Sequence, residues 1–398
     1  MAKSIYFDHA ATTQTDERVV EAMLPFLRES FGNPSTVHDL GQQAKAAIDG
    51  AREAVAKFIG ALPDEIVFTS TGTEADNFAI KGLAATRQQK GNHIITSSIE
   101  HHAVLHSCKK LEKQGFEVTY VPVDKYGMVD PGEVEKAVRP STILISIMHA
   151  NNEVGTVQPL EKISGVARAK KVVFHTDAVQ TVGQIPVDVN KLGVDLLSLS
   201  GHQFYGPKGV GALYIRRGVR IAPVTDGGIQ EDGKRPGTEN VAAIVGLGKA
   251  AEVAGSEMAA AAERMKNLRD SLEVGIRERV NRVRFNGHPE KRLPGHASMC
   301  VEYVEGESMV LFLNMEGIAA SSGSTCSSKA LKSSHVLAAM GVPPAVAQGS
   351  LLLALGRENS QEEVDRFIEV FPPIVERLRE MSPLCGGPEE KEGEEQGE

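Results

Sequence analysis

The segment DLLSLSGHQFYGPKGV, residues Asp195–Val210, lies at the centre of the pattern that organises this 398-residue chain. It opens with a short apolar run, Leu196–Leu199, that is typical of the end of a buried strand. The polar residues Ser200–Gln203 and a Gly-Pro turn follow, and a second apolar run occupies Val210–Ile215. Because polar residues held between two buried strands are commonly directed into a site, this segment predicts a functional site at the end of a strand.

Short apolar stretches of strand length recur through the first half of the chain. They are Ile66–Thr69, His93–Thr96, Val118–Val123, Ile143–Met148, Val172–His175 and Leu196–Leu199. Most are separated by helical patterns, at Glu74–Arg87, Ala103–Gln114 and Leu160–Lys170. This alternation predicts a largely parallel sheet with helices on both faces, and ligands of such sheets bind beyond the carboxyl ends of the strands.

The length predicts two domains, or one large α/β domain with an appendage, because 398 residues are too many for one hydrophobic core. A long region rich in helix formers, Asn240–Val280, is expected to lead into the second domain. Further strands and helices are predicted at Ser298–Val304, Leu351–Leu355, Glu307–Met315, Lys329–Met340 and Glu362–Met381. We expect a large domain over residues 14–255 and a smaller one formed by residues 1–13 and 256–384.

The formal net charge of −9 is unevenly distributed, since the tail at residues 386–398 holds six Glu and one Lys and contributes −5. The rest of the chain therefore carries −4 and has no basic signature, so no nucleic-acid partner is expected. The tail lacks apolar anchors, so residues 385–398 are predicted to be disordered, with a partner-docking arm as the alternative.

The sequence contains neither a run of about 18 apolar residues nor a signal-peptide core, which predicts a cytoplasmic protein without a membrane partner. Its four cysteines, Cys108, Cys300, Cys326 and Cys385, lack paired spacing, which indicates free thiols. Cys326 ends the small, flexible loop Ser321–Cys326 and is a candidate nucleophile. Cys300 is expected to pack as a small hydrophobe, and the other two have no motif around them.

Two more segments carry chemistry at predicted strand ends. Ser70–Glu74 follows a strand and opens a helix, which suits either a phosphate or an ordinary helix cap. Asp177 ends another strand, where a buried carboxylate is costly unless it is paired. A role for Asp177 as the cap of the next helix is the alternative.

Taken in order, these segments resemble the motifs of the cysteine desulfurase family, pyridoxal-phosphate (PLP) enzymes related to class-V aminotransferases. The resemblance covers the chain from about Tyr6 to Pro383. It rests on Ser70–Glu74, Glu100–His101, Asn151–Gly155, His175–Gln180, Ser200–Gly209, Arg235–Asn240 and Ser321–Cys326. It implies an α/β fold, in which a PLP aminotransferase-like large domain has a mainly parallel seven-stranded sheet and a smaller α+β domain carries the Cys326 loop.

The resemblance also implies a set of cofactor-binding residues. They are Gly72, Thr73, His101, Asn152, Asp177, Gln180, Ser200, His202 and Thr238. In the family, the residue matching His101 stacks on the pyridine ring, and the one matching Asp177 pairs with the protonated ring nitrogen, which makes the ring an electron sink. The residue matching Thr238 touches the neighbouring subunit's phosphate, so a homodimer is expected. His102 is expected to be an exposed residue at a helix start.

Two positions depart from the family pattern. The lysine that carries PLP as a Schiff base is replaced by Gln203, whose neutral amide neither forms an imine nor titrates. Lys208 is a poor substitute, because lysine-containing relatives also have it. Many relatives have an arginine that holds the substrate carboxylate where Leu352 stands, and Arg357 is expected to point elsewhere.

The expected function is that of a cysteine desulfurase, which converts L-cysteine to L-alanine and leaves a persulfide on Cys326. The sulfur would serve iron–sulfur assembly or tRNA thiolation, with Cys326, His101 and the Gln203 position as the catalytic residues and activity impaired by Gln203. The alternative is a homologue with PLP bound non-covalently or absent, acting as a dimeric sulfur or cluster carrier that docks an iron–sulfur scaffold. In that case Cys326 is a sulfur carrier or a cluster ligand, and no other metal site is expected. Another PLP transferase of the same fold is disfavoured by the Cys326 loop.

Overall fold

A computed structural model of the protein describes residues 4–323 and 334–383. By its internal contacts the chain divides into two compact units. The larger unit contains residues 10–152 and 156–260, and the smaller contains residues 1–9, 153–155 and 261–398. The predicted loop nucleophile Cys326, Cys385 and the acidic tail lie outside the described residues.

The larger unit begins with two helices, α1 (Glu17–Arg28) and α2 (Asp39–Ile59), and then alternates strands with helices. Asp16 caps α1 by accepting a hydrogen bond from the Arg18 amide. The strands of this unit are β2 (Ile66–Thr69), β3 (His93–Ser97), β4 (Glu117–Val121), β5 (Thr142–Ser146), β6 (Val173–Asp177), β7 (Leu196–Ser200) and β8 (Gly211–Ile215). The helices between them are α3 (Gly72–Asn77), α4 (Leu83–Arg87), α5 (His102–Glu112), α6 (Pro131–Ala137), α7 (Leu160–Lys170) and α8 (Val189–Leu192).

The seven strands form one sheet in the order β2-β8-β7-β6-β5-β3-β4, in which β8 alone runs against the others. This confirms the predicted mainly parallel sheet. Its central strands are buried on both faces, as is typical of a sheet covered by helices. The predicted helix Glu74–Arg87 is correct in extent, but a π-helical turn at Phe78–Gly82 joins α3 to α4.

Helix α9 (Val241–Arg279) contributes its first half to the core of the larger unit and its second half to that of the smaller one. The smaller unit contains β1 (Ile5–Tyr6), β9 (Val283–Phe285), β10 (His296–Val301), α10 (Gly306–Met315), β11 (Ile318–Ala319), α11 (His335–Ala339), α12 (Pro344–Ala347), β12 (Ser350–Ala354) and α13 (Gln361–Met381). Strands β12, β10 and β9 form an antiparallel sheet, and β1 pairs with β11. No helix in the described part of the chain is both long and apolar enough to cross a membrane.

Candidate active site

Two buried carboxylates meet at the carboxyl end of the large sheet. Asp177 is the last residue of β6, and Asp76 lies on the buried face of α3. One ligand atom from each, together with one ring nitrogen of His101, lies within 4.8 Å of the others. The structure therefore brings together two residues singled out in the sequence, Asp177 and His101, and adds Asp76.

Burial controls the ionisation of this acidic cluster, Asp76–His101–Asp177. Desolvation raises the pKa of Asp177, against the opposing effects of His101 and of the Val179 amide, which donates to Asp177 Oδ1 at 2.9 Å. Desolvation and the neighbouring Asp177 carboxylate raise the pKa of Asp76 well above its usual value. Two carboxylates held this close share a proton unless a cation is placed beside them.

A buried histidine, His175, also lies beside Asp76, with its Nε2 3.6 Å from Asp76 Oδ1. The same nitrogen is 3.0 Å from Ser198 Oγ, and Nδ1 is 2.8 Å from Ser146 Oγ. Burial lowers the pKa of His175 to about 3, so the ring is neutral at physiological pH. His175 therefore supplies no positive charge to the acidic cluster.

A third buried acid, Glu100, is electrostatically coupled to this cluster through Asp177. Its Oε1 accepts hydrogen bonds from Ser97 Oγ at 2.6 Å and from the Met148 amide at 3.0 Å. Desolvation outweighs these bonds and raises the pKa of Glu100 to about 8. The carboxyl end of the sheet therefore favours a bound cation or a bound proton.

His101 is the N-cap of α5 and is partly exposed. Its Nδ1 accepts a hydrogen bond from the Ala103 amide at 3.1 Å, so in the neutral ring the proton is held on Nε2. The backbone contact fixes the orientation of the ring. His102, which was expected to be an exposed residue, is partly buried on α5 and its ring stacks on His106.

Gln203 lies in the turn after β7 and is buried. Its Nε2 donates to the carbonyl oxygens of Ala10 and Ala11, at 3.1 and 3.3 Å. Gln180 Nε2 also donates to the Ala10 oxygen, at 3.0 Å. The side-chain amide oxygens of Gln203 and Gln180 have no hydrogen-bond partner among the described residues, and neither does the hydroxyl of the buried Ser200.

The segment that opens α3 packs closely against Val179 and against Ser200, the last residue of β7. A Cβ on Gly72 would lie 2.5 Å from Val179 Cγ2 and 3.3 Å from Ser200 Cβ, so only glycine fits at this position. Thr71 Oγ1 caps the helix by accepting from the Glu74 amide, and Thr73 is exposed. The capping role is therefore filled by Thr71, and the Thr73 side chain is accessible.

The remaining predicted residues lie in loops. His202 Nδ1 is 3.1 Å from Thr12 Oγ1, and Asn152 is partly buried in a turn. Thr238 is exposed and lines a cavity of about 230 Å³ with Ser70 of the same chain.

The loop that carries Thr238 is held by an ion pair. Arg235 Nε donates to Glu74 Oε1 at 2.8 Å. Burial raises the pKa of Glu74, but the hydrogen bonds from Arg235 and Ser70 outweigh it and lower the pKa overall. Glu74 is therefore ionised and fixes the loop beside the start of α3.

In the smaller unit, Leu352 is buried on β12, with its backbone paired to Ser321. Its neighbours Leu351 and Leu353 belong to the core of that unit, so alternation along the strand turns Leu352 to the opposite face. Arg357 Nε donates to Glu358 at 3.1 Å.

From the sequence alone we missed Asp76, Glu100 and the contact of Gln203 with the N-terminal arm, the segment of residues 7–15 that includes Ala10 and Ala11. A signal for Asp76 existed, because it shares a helical stretch with the apolar residues Ala75, Phe78, Ala79 and Ile80, where a carboxylate must be buried. No local pattern could connect Gln203 with Ala10 and Ala11.

Comparison with known proteins identifies the family. The model of the class-V aminotransferases matches residues 5–367. A cysteine desulfurase IscS of Methanosarcina thermophila is 56% identical over 382 residues, 96% of this chain and 94% of that protein. A solved NifS-like protein is 43% identical with a TM-score of 0.89, covering 94% of this chain and 100% of that one. The solved structure of SspA in complex with cysteine is 40% identical with a TM-score of 0.81, covering 90% of this chain and 100% of that one.

The fold and the matched model place this protein among the PLP-dependent class-V aminotransferases. Within that class, the chain belongs to the cysteine desulfurase family.

The residues at the carboxyl end of the sheet are chemically suited to most of the polar groups of PLP. Two buried carboxylates with raised pKa values, Asp76 and Asp177, suit a protonated ring nitrogen. The unpartnered oxygens of Gln180 and Ser200 suit polar ring substituents. Gln203 beside these residues supplies an amide, which cannot form an imine with the cofactor.

Proposed function

We propose that this protein is a cysteine desulfurase of low turnover that binds PLP non-covalently in the larger unit and collects sulfur from L-cysteine on Cys326. The observation that carries this proposal is the acidic cluster, in which Asp76 and Asp177 are buried beside His101 with no lysine or arginine paired to them among the described residues. PLP, when bound, supplies an electron-withdrawing ring that stabilises negative charge developing at the amino-acid Cα.

The acidic cluster would hold the proton of the ring nitrogen. Asp177 Oδ1 accepts from the Val179 amide, and the Asp177 carboxyl is also hydrogen-bonded to Asp76, so the ring nitrogen would take the place of the proton that the two acids share. A cation placed there resolves the repulsion between Asp177 and Asp76 and allows both to ionise. His101, oriented by the Ala103 amide, would lie against the ring face, and the start of α3, which Gly72 allows to pack against Val179 and Ser200, would hold the phosphate.

Gln203 limits the chemistry. Its two amide hydrogens are directed at the carbonyls of Ala10 and Ala11, and it can neither take nor return the Cα proton. The loss of a positioned general acid–base group costs about 10²–10⁴-fold in rate. Leu352 supplies no charge to the substrate carboxylate, which weakens capture of cysteine further.

These two departures favour a second candidate, a dimeric sulfur or cluster carrier. In that function Cys326 holds a persulfide made elsewhere, or is a ligand of an iron–sulfur cluster, and the protein docks a scaffold protein. In either function the sulfur serves iron–sulfur assembly or tRNA thiolation. The proposed setting is the cytoplasm, because the described cysteines Cys108 and Cys300 are free thiols.

We also propose a homodimer in which Thr238 approaches the neighbour's phosphate site. Its loop is held by the Arg235–Glu74 ion pair and leaves Thr238 exposed. Analytical ultracentrifugation tests the dimer, and a cross-link between cysteines substituted at Thr238 and Thr73 of different chains tests the contact. A monomer at micromolar concentration would contradict it.

The test of function compares alanine release from cysteine, and persulfide on Cys326 by mass spectrometry, in four proteins: the chain as it stands, Gln203→Lys, Leu352→Arg and the double variant. We expect slow release from the first, partial recovery in Gln203→Lys and the most in the double, all abolished by Cys326→Ala. If the double variant binds PLP but releases no alanine, the carrier function replaces the enzyme function.

A further inference from the structure

A second cavity lies at the end of the large sheet that is opposite to the acidic cluster. It has a volume of about 510 Å³ and is built around the amino ends of β6 and β7 and the segment that follows the carboxyl end of β8. Val173, the first residue of β6, lines this cavity, whereas Asp177, the last residue of β6, belongs to the acidic cluster. The cavity is therefore separate from the proposed cofactor site.

Its lining carries four cations and a single carboxylate. Arg87, Arg168, Lys171 and Arg216 surround Asp195. Asp195 Oδ2 accepts from the Phe174 amide at 3.0 Å, and its Oδ1 lies 3.3 Å from Arg216 Nε. One carboxylate against four cations leaves an excess of three positive charges in the lining.

Arg216 is already engaged. Its Nη2 donates to the Val194 oxygen at 2.7 Å and to the Val189 oxygen at 3.2 Å. Together with the contact to Asp195, these bonds hold its guanidinium in the wall of the cavity. The excess charge therefore belongs to the other three cations.

Those three cations, Arg87, Arg168 and Lys171, have no ion-pair partner within residues 4–323 and 334–383. The Arg168 guanidinium lies along the wall, because a Cβ on Gly193 would lie 2.8 Å from Arg168 Nη2. Gly193 also has a φ of +67°, so glycine is favoured there for two reasons.

The rest of the lining is apolar or neutral. Ala167, Val172, Val173 and Val219 supply apolar surface, and Ser164 and Asn190 supply neutral polar groups. A volume of 510 Å³ falls within the range of about 300–1,000 Å³ that is typical of small-molecule sites. This size admits a mononucleotide or a sugar phosphate.

We propose that this cavity binds a small phosphorylated molecule of mononucleotide size, with its phosphate on Arg87, Arg168 and Lys171 and its uncharged body on the apolar wall. A single carboxylate ligand would leave two of the three cations uncompensated, whereas a phosphate carries up to two charges and three acceptor oxygens. Asp195 accepts from the Phe174 amide and pairs with Arg216, and it also attracts Arg87 and Arg168, but its single charge leaves the lining with an excess of positive charge.

Isothermal titration calorimetry of the full chain at constant ionic strength tests this, with AMP and inorganic phosphate as probes. AMP is expected to bind more tightly than phosphate because it also covers the apolar wall. Arg168→Gln is expected to weaken AMP binding about 10- to 100-fold, since it removes a charged hydrogen-bond donor from the phosphate. Lys162→Gln is the matched control, because Lys162 is an exposed cation on the same helix outside the cavity lining.

Three outcomes would overturn the proposal. The first is that neither AMP nor phosphate binds, and the second is that Arg168→Gln and Lys162→Gln weaken AMP binding equally. The third is that a short RNA binds but AMP does not, which would assign the cavity and its cations to nucleic acid. Thermal unfolding without ligand shows whether both variants remain folded. The Arg168 side chain is exposed and makes no hydrogen bond to other described residues, so its replacement should lower the unliganded midpoint only slightly, through the lost attraction to Asp195.

Discussion

The carboxyl ends and the amino ends of the strands of the large sheet form two edges, the carboxyl edge and the amino edge, which carry opposite charge and differ in burial. At the carboxyl edge, Asp76, Glu100 and Asp177 are almost completely buried, and burial raises all three pKa values. At the amino edge, Arg168 and Lys171 are exposed cations. Charges removed from water affect stability and ionisation together, whereas exposed charges affect mainly binding. Changes at the carboxyl edge should therefore alter folding and ligand affinity, and changes at the amino edge should alter affinity alone.

The largest effect is expected for Asp177→Asn. Removing one partner of a buried charge pair costs about 3–5 kcal/mol, so PLP affinity should fall by roughly two to four orders of magnitude. Without PLP the same variant should unfold at a higher temperature, because it no longer buries a carboxyl group whose pKa is raised in the folded state, while the Val179 amide keeps an acceptor. PLP titration by absorbance and thermal unfolding measure the two effects.

The control for Asp177→Asn is Glu53→Gln, which removes an exposed carboxylate on α2. It should alter neither PLP affinity nor the unfolding temperature. A loss of stability in ligand-free Asp177→Asn would contradict the inference that the buried Asp177 carboxyl group destabilises the ligand-free fold.

The next effect concerns pH. The pKa of Glu100 is raised by burial from 4.5 to about 8, so the folded protein keeps a proton that the unfolded chain releases. Stability should therefore fall as pH rises from about 4.5 to about 8, by a few kcal/mol for this residue. Glu100→Gln should remove this part of the slope because an amide does not titrate. The fold should be kept, since the amide oxygen can still accept from Ser97 and Met148. Urea unfolding at several pH values is the measurement, and an unchanged slope in Glu100→Gln would contradict it.

A smaller effect is expected for Gln203→Ala. The variant loses the bonds to Ala10 and Ala11, although Gln180 still donates to the Ala10 oxygen. A loss of about 1–2 kcal/mol in the free energy of unfolding follows. Hydrogen exchange should accelerate at the Thr13 amide, which donates to the His202 oxygen. Unchanged exchange there would show that Gln203 does not hold the arm.

The smallest effect is expected for Lys171→Gln at the amino edge. Lys171 is exposed and is the C-cap of α7, with a positive φ of 57° that glutamine accommodates as lysine does. The free energy of unfolding should change by less than about 0.5 kcal/mol, measured by urea unfolding. A larger loss would show that the cations at this edge stabilise the fold, and the contrast between the two edges would fail.

Local patterns predicted the strands well and the helix ends less well. The predicted strand Val172–His175 corresponds to β6, and Leu196–Leu199 to β7, because buried parallel strands are recognisable as short apolar runs. Within the predicted helix Lys329–Met340, the structure describes only His335–Ala339 as helix, and residues 324–333 lie outside the described part. Helix ends depend on capping contacts, such as the Ser334 hydroxyl that accepts from the Val336 amide, more than on periodicity.

Residue types and their spacing were enough to establish the alternation of strands and helices, the place of Asp177 at a strand end, and the absence of a lysine at position 203. All three are properties of short stretches of chain. The meeting of Asp76 with Asp177, the bond from Gln203 to Ala10, and the convergence of unpaired cations at the opposite edge became visible only in the folded chain. These contacts join residues far apart in the sequence, and the side-chain burial that gives them their energy exists only once the sheet has formed.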